Sequence, residues 1–294
     1  MAYSRVLLGA KTSRTLPAVR DVGLSDLKDA LAKGIDDFSA MPTHALFLCA
    51  IYPVVGLVLA RLTFGYSVLP LLYPLSTGFA LIGPVAALGL YELSRRREAG
   101  RETSAAHALD VLQSSSIGAI IALALLLFVI FAIWVTIANA IYIADFGYAT
   151  PASIRQFITD VLTTRAGWNL ILVGNGVGLL FAILVLSISV VSFPLLLDCD
   201  VGAAVALATS LRVVAKNPVT MAVWGLIVAG LLLLGSLPLF LGLTVVVPVL
   251  AHASWHLYRK AVKADRNPPP KPHKRQGGHR HAADFPAVLF PWAR

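Results

Sequence analysis

His252 and His256 stand four residues apart, so on a helix both project from one face, one turn apart. Imidazoles at that spacing ligate zinc, another transition metal or a haem iron once a further donor joins them. His44 supplies a third histidine at the end of an apolar run, and Glu92, Asp198 and Asp200 are carboxylates at the ends of others. The plainer use of His252 and His256, beside Trp255 and Tyr258, is a polar and aromatic belt that anchors a helix end. Asp198-Cys199-Asp200 has the form of a paired carboxylate for a divalent ion. Asp200 is equally placed to cap a helix beginning near Val201, where a carboxylate meets unpaired backbone donors. No nucleophile, base and orienting group fall into a working set, so no residue is given a catalytic role and no cofactor is expected beyond that metal or haem.

The elements that must position these residues follow from composition. Of 294 residues, 57% are hydrophobic and 13% charged, and the mean hydropathy is +0.78. Lipid is the natural solvent for such a chain. The net charge of +9 is carried by loops beside apolar runs, which points to the bilayer and its anionic headgroups rather than to nucleic acid. Cys49 and Cys199 have neither disulfide-framework nor metal-ligand spacing. The apolar stretch Val6 to Ala10 is too short for a signal-peptide core.

A spanning helix needs about 20 mostly apolar residues, because its backbone must satisfy itself in hydrocarbon. Six spans are predicted, at 43–62, 68–91, 117–143, 168–197, 219–234 and 237–257, the last two being a hairpin turned at Gly235-Ser236-Leu237-Pro238. An even number keeps Arg95-Arg96-Arg97, Arg212, Lys216 and the basic tail on the side of the N-terminal lysines and arginines. The opposite side keeps Arg61, Arg155 and Arg165. The expected protein is an all-α, multi-pass bundle of the bacterial inner membrane with both termini in the cytoplasm. A flexible segment, 1–23, precedes the 24–262 membrane domain, and a disordered basic tail rich in Pro and His, 263–294, follows it.

Leu24, Leu27, Leu31, Ile35, Phe38 and Met41 recur at helical steps, with Asp26, Lys28, Asp29, Lys33, Asp36 and Asp37 mostly opposite, which predicts an amphipathic interfacial helix capped by Ser25. Ala206-Leu207 stands as far before Pro218 as Ala30-Leu31 before Pro42, and a weaker copy begins at Ala108-Leu109. The pattern suggests three repeats, each an interfacial helix followed by a transmembrane hairpin. Within the spans, Gly174, Asn175 and Gly178 suit close helix packing, Pro74, Pro84, Pro194 and Pro248 should bend their helices, and no charged residue lies deep. That scarcity argues against a proton relay. A scaffold or assembly factor is favoured, with a carrier or channel for an uncharged or amphipathic solute as the alternative and a metal- or haem-binding protein as a third.

Several segments resemble a family of uncharacterised bacterial integral membrane proteins, a domain of unknown function. They are PLLYPLSTGFALIGPVAALGLYE from Pro70 to Glu92 with Ser94-Arg95-Arg96, Ser192 to Asp198, and a third set. That set runs from Ser210-Leu211-Arg212 through Asn217-Pro218 and Trp224-Gly225 to Pro248 and His252 to Arg259. Some family members carry the label cytochrome c oxidase subunit I, which implies respiratory membrane proteins as partners. A haem-copper catalytic subunit needs about six histidines on several helices. This chain has seven in all, of which His107, His273, His279 and His281 fall in loops or the tail. The resemblance therefore leaves an accessory role.

Overall fold

The computed structural model describes residues 16–41, 69–71, 74–75, 83–148, 151–238 and 240–263. The predicted first span, residues 68, 72–73 and 76–82 of the second, His44 and the tail beyond Lys263 lie outside these residues. Helices fill the described chain: α1 (Leu24–Ala40), α2 (Leu88–Glu98), α3 (Ile117–Phe146), α4 (Ile154–Thr163), α5 (Arg165–Ser189), α6 (Ser192–Asp198), α7 (Ala203–Lys216), α8 (Pro218–Ser236) and α9 (Leu243–Ala261). A 3-10 segment, Ala105–Gln113, leads into α3.

Among the described residues, three stretches are long and apolar enough to cross a membrane: Ile117–Phe146, Arg165–Asp198 and Pro218–Ser236. They agree with three of the six predicted spans. The Arg165–Asp198 stretch breaks at Val190 and Val191, because Pro194 has no N–H to give the Val190 carbonyl four residues earlier. The break is tied to α7. Val191 N–H donates to Ser210 Oγ at 3.3 Å, and Ser192 Oγ lies 3.1 Å from the Ala206 carbonyl. Pro248, by contrast, sits inside a continuous α9. Pro84 lies in the single helical turn Gly83–Ala86 ahead of α2, and the Pro74 carbonyl accepts from Trp134 Nε1 at 3.0 Å.

The predicted hairpin is present, but α8 runs on to Ser236 and the chain reverses before α9, with Phe240 at a φ of 65°. Gly235 and Gly242 face each other across this turn, where a Cβ on Gly242 would come within 2.8 Å of the Gly235 backbone. The sixth predicted span, 237–257, is corrected to α9. This helix starts six residues later, and its second half is buried on most sides and carries polar side chains.

The helix α1 forms as expected, and the structure adds its partner: it packs along the second half of α9, burying Leu27, Ala30, Gly34 and Asp37. That stripe is turned roughly 70° from the centre of the apolar face at 100° per residue, so Leu24 and Ile35 remain exposed. Close approach is the reason. A Cβ on Gly34 would sit 2.7 Å from both the Ala253 nitrogen and the Val249 carbonyl oxygen, so only glycine lets the two backbones meet. The helix starts from Gly23, whose N–H donates to the Asp26 carboxylate at 2.9 Å, rather than from a Ser25 cap.

The segment read as flexible up to residue 23 is ordered from Leu16 on. Ala18–Val19 pairs antiparallel with Val262–Lys263, and Arg20 N–H donates to the Ala261 carbonyl at 2.8 Å. Asn217, between α7 and α8, accepts from Val22 N–H at 2.8 Å, and Thr220 donates to the Val22 carbonyl at 2.8 Å. These bonds bring α1, α9 and the α7–α8 joint to one end of the bundle.

Gly34→Val should force α1 off α9, since the obstructing atoms are backbone and cannot swing aside. We expect a loss of at least about 2 kcal/mol, read as a lower melting temperature of the detergent-solubilised protein, with an exposed Lys33→Ala control unchanged within about 0.5 kcal/mol.

Candidate functional site at the basic end

Arg95, Arg96 and Arg97 at the end of α2, Arg212 and Lys216 on α7, and Arg259 and Lys260 on α9 gather at this end. Carboxylates meet them. Lys260 bridges Asp26 and Asp29 of α1, both at 2.9 Å; these bonds raise its pKa and lower that of Asp29, while Asp26 is lowered first by the Gly23 N–H and then by Lys260. Arg96 pairs with Asp110 at 2.8 Å, and Lys216 with Asp21 at 3.2 Å. Buried Glu92 takes a two-pronged bond from Arg95, at 2.8 and 2.9 Å.

At the centre is Asp37, buried where α1, α2 and α9 converge. Its Oδ2 accepts from Ser94 Oγ at 2.6 Å and from His256 Nε2 at 2.9 Å, while its Oδ1 accepts from Arg97. Burial pushes the carboxyl pKa up, but the bonds from His256, Ser94 and Arg97 outweigh it and hold the pKa at about 2. Asp37 is therefore an ionised acceptor. Ser94 gives its hydroxyl proton to Asp37, and His252 Nδ1 lies 2.7 Å from the same Ser94 Oγ. The buried His252 ring also has a hydrogen bond with the Leu90 backbone.

A second network adjoins the first. Trp255 Nε1 donates to Glu98 at 3.1 Å, and Arg259 grips the same carboxylate at 2.7 and 3.0 Å. Tyr258 donates to Asp198 at 2.8 Å, with Arg259 3.5 Å from the same oxygen. Burial, and then the Asp198 charge, push the Tyr258 pKa far up, which keeps its hydroxyl a donor.

His252 and His256 thus share a face, as expected, and that face meets Asp37 and Ser94. His44 lies outside the described residues. Among the described residues, no group of three or more His, Cys, Asp or Glu side chains is arranged for a metal ion. Asp198 belongs to the Tyr258 and Arg259 network. Asp200 does not cap the next helix: α7 begins at Ala203 with Gly202 at the capping position and no side-chain cap, because Gly202 takes a φ of 80° that glycine adopts freely. Of the packing triad, Gly178 lets the Trp134 ring of α3 approach, with a Cβ there only 3.1 Å from it. Gly174 faces open space, and Asn175 donates to its own helix at the Ile171 carbonyl, 2.7 Å away.

Sequence reasoning missed Asp37, Ser94 and Arg97 as partners of the histidines. One signal was present for Asp37: positions 27, 30, 34 and 37 form a single helical stripe.

Removing the carboxylate leaves Ser94, His256 and Arg97 without their shared acceptor, so Asp37→Ala should cost about 3 kcal/mol. The pH dependence has a definite sign. A pKa held near 2, below the ordinary 3.8, gives stability that is complete above pH 4 and lost as pH falls towards 2, about 2 kcal/mol in all. Melting curves of wild type and Asp37→Asn should therefore converge over that window and stay apart above it.

No curated protein and no solved structure matches the chain. Residues 71–198, which carry α2 to α6, match a family model described as a predicted integral membrane protein, DUF2189.

Proposed function

We propose that this protein is a non-catalytic scaffold or assembly factor of the bacterial inner membrane, inserted with its basic end in the cytoplasm. One contrast carries the reading. The polar groups of the basic end hold the helices to one another, whereas two of the three apolar stretches above it, α3 and α8, are largely uncovered. Only 28% of the most apolar window of α3 and 22% of that of α8 is buried within the chain. Exposed Leu125, Phe128, Val129 and Ile133 on α3, and Leu226, Leu233 and Leu234 on α8, suit lipid or the helices of other membrane proteins. The orientation follows from charge, since Arg95 to Arg97, Arg212, Lys216, Arg259 and Lys260 share one end while Arg155 and Arg165 lie at the other.

His252 Nδ1 and His256 Nε2 are engaged with Ser94 and Asp37, which supports a structural part for these rings. Affinity purification from native membranes, followed by mass spectrometry, tests the scaffold reading. It should recover a small set of membrane proteins in near-constant ratio to this chain. A monodisperse species without such partners, together with solute flux in proteoliposomes, would replace the scaffold with a carrier.

A further inference from the structure

The helix α4 joins the ends of α3 and α5 away from the basic end. Its ten residues divide cleanly. Ile154, Phe157, Ile158, Val161 and Leu162 fall within an arc of roughly 140°, and Arg155, Gln156, Thr159, Asp160 and Thr163 fill the remainder. Ser153 caps its start by accepting from Gln156 N–H at 3.1 Å, and Thr164 caps the start of α5 by accepting from Gly167 N–H at 3.0 Å.

The bundle uses only one edge of the apolar arc. The Phe157 ring lies 6.3 Å from that of Tyr142 on α3. Gly167 approaches α4 so closely that a Cβ there would overlap the Asp160 and Val161 backbones. These contacts fix how α4 is rotated. The other edge is left open, with Ile154 41%, Ile158 50% and Leu162 55% exposed.

What covers that edge follows from where it lies. Both helices that α4 joins are long and apolar enough to cross the membrane, so the short link between them sits where they leave the hydrocarbon. Tyr148, just before α4, and Trp168, just after it, are exposed as aromatic-belt residues are. The adjoining α5 also exposes large apolar side chains, Leu172, Leu179 and Leu180. Arg155 and Arg165 can reach lipid phosphates from this level.

We propose that α4 is a membrane-surface anchor, with Ile154, Ile158 and Leu162 inserted among the acyl chains of the leaflet opposite the basic end. The occupant of the open edge is the bilayer itself. Because Gly167 locks α4 to α5, the anchor sets the depth at which the α3 and α5 ends sit. The inference does not depend on the scaffold reading and would hold equally for a carrier.

The test uses the full chain in phosphatidylcholine and phosphatidylglycerol nanodiscs, in a Cys49→Ser, Cys199→Ser background. Single cysteines at 154, 158 and 162, and at 155, 159 and 163, are spin-labelled and relaxed by oxygen or by a water-soluble nickel complex. All six positions are exposed, so labels there should leave the melting temperature unchanged. Oxygen should dominate at 154, 158 and 162, and nickel at 155, 159 and 163, with ratios differing several-fold. Nickel dominance at 158 and 162 would show a water-facing helix and overturn the proposal. Exclusion of both reagents there would show a protein partner and overturn it too. If the cysteine-replaced background fails to fold, quenching by brominated lipid reads the same contrast, stronger for Ile158→Trp than for Thr159→Trp, and equal quenching would refute the anchor.

Discussion

A single buried carboxylate organises the basic end of this bundle. Asp37 comes from α1, its neutral donor Ser94 and its cation Arg97 from α2, and its imidazole donor His256 from α9. An ionised carboxylate out of water is costly unless donors surround it, and removing one partner of such a group typically costs 3–5 kcal/mol. The arrangement therefore penalises error more than it rewards contact. If α1 slid or rotated by one residue, Asp37 would face apolar side chains and three donors would lose their acceptor. Gly34, one turn before Asp37, allows the backbone approach that brings the carboxylate within reach of α9.

The same constraint reaches the remaining helices through a chain of shared groups. Ser94 hands the arrangement to His252, and α9 continues it through Trp255, Tyr258 and Arg259 to Glu98 and Asp198. Asp198 closes α6, so the end of the bent Arg165–Asp198 stretch is held in register with α9. Ser192 and Ser210 then tie the bend itself to α7. Polar residues that are rare in the long apolar helices are concentrated where several helices must agree on their heights. Non-directional apolar packing would leave those heights loosely specified.

Much of this architecture was legible because it rests on period and length. The spans at 117–143, 168–197 and 219–234 correspond to α3, the α5–α6 stretch and α8, since long apolar runs in lipid leave the backbone no other choice. The amphipathic period of residues 24–41 likewise fixed α1 as a helix. What remained hidden was the direction α1 faces. A charged residue is almost never fully buried unless paired, so Asp37 was grouped with Asp36 on the solvent side although it completes the stripe of Leu27, Ala30 and Gly34. Its partners lie 57 to 219 residues away in sequence, and no local pattern announces a bond of that range. Asp200 illustrates the opposite error. A carboxylate before a helix reads as a cap, but the left-handed backbone of Gly202 moved the start of α7 beyond its reach.

The two ends of the bundle consequently differ in kind. At the basic end, ion pairs and buried hydrogen bonds connect α1, α2, α6, α7 and α9, so a shift in one helix is resisted by the others. Away from that end, the described helices meet through small residues and rings: Gly178 against Trp134 at mid-length, and Gly235 against Gly242 and Phe157 against Tyr142 at the far end. The Asn169 bond to Asp145 at 2.7 Å adds one polar tie there. Dispersion contacts of this kind fix distance but tolerate small slides, because no buried charge is stranded when they move. The basic end should therefore be the rigid reference of the molecule, and adjustment to lipid or to neighbouring membrane helices should fall to the apolar spans. A scaffold needs that division, with one face that keeps its shape and another that adapts to what it holds.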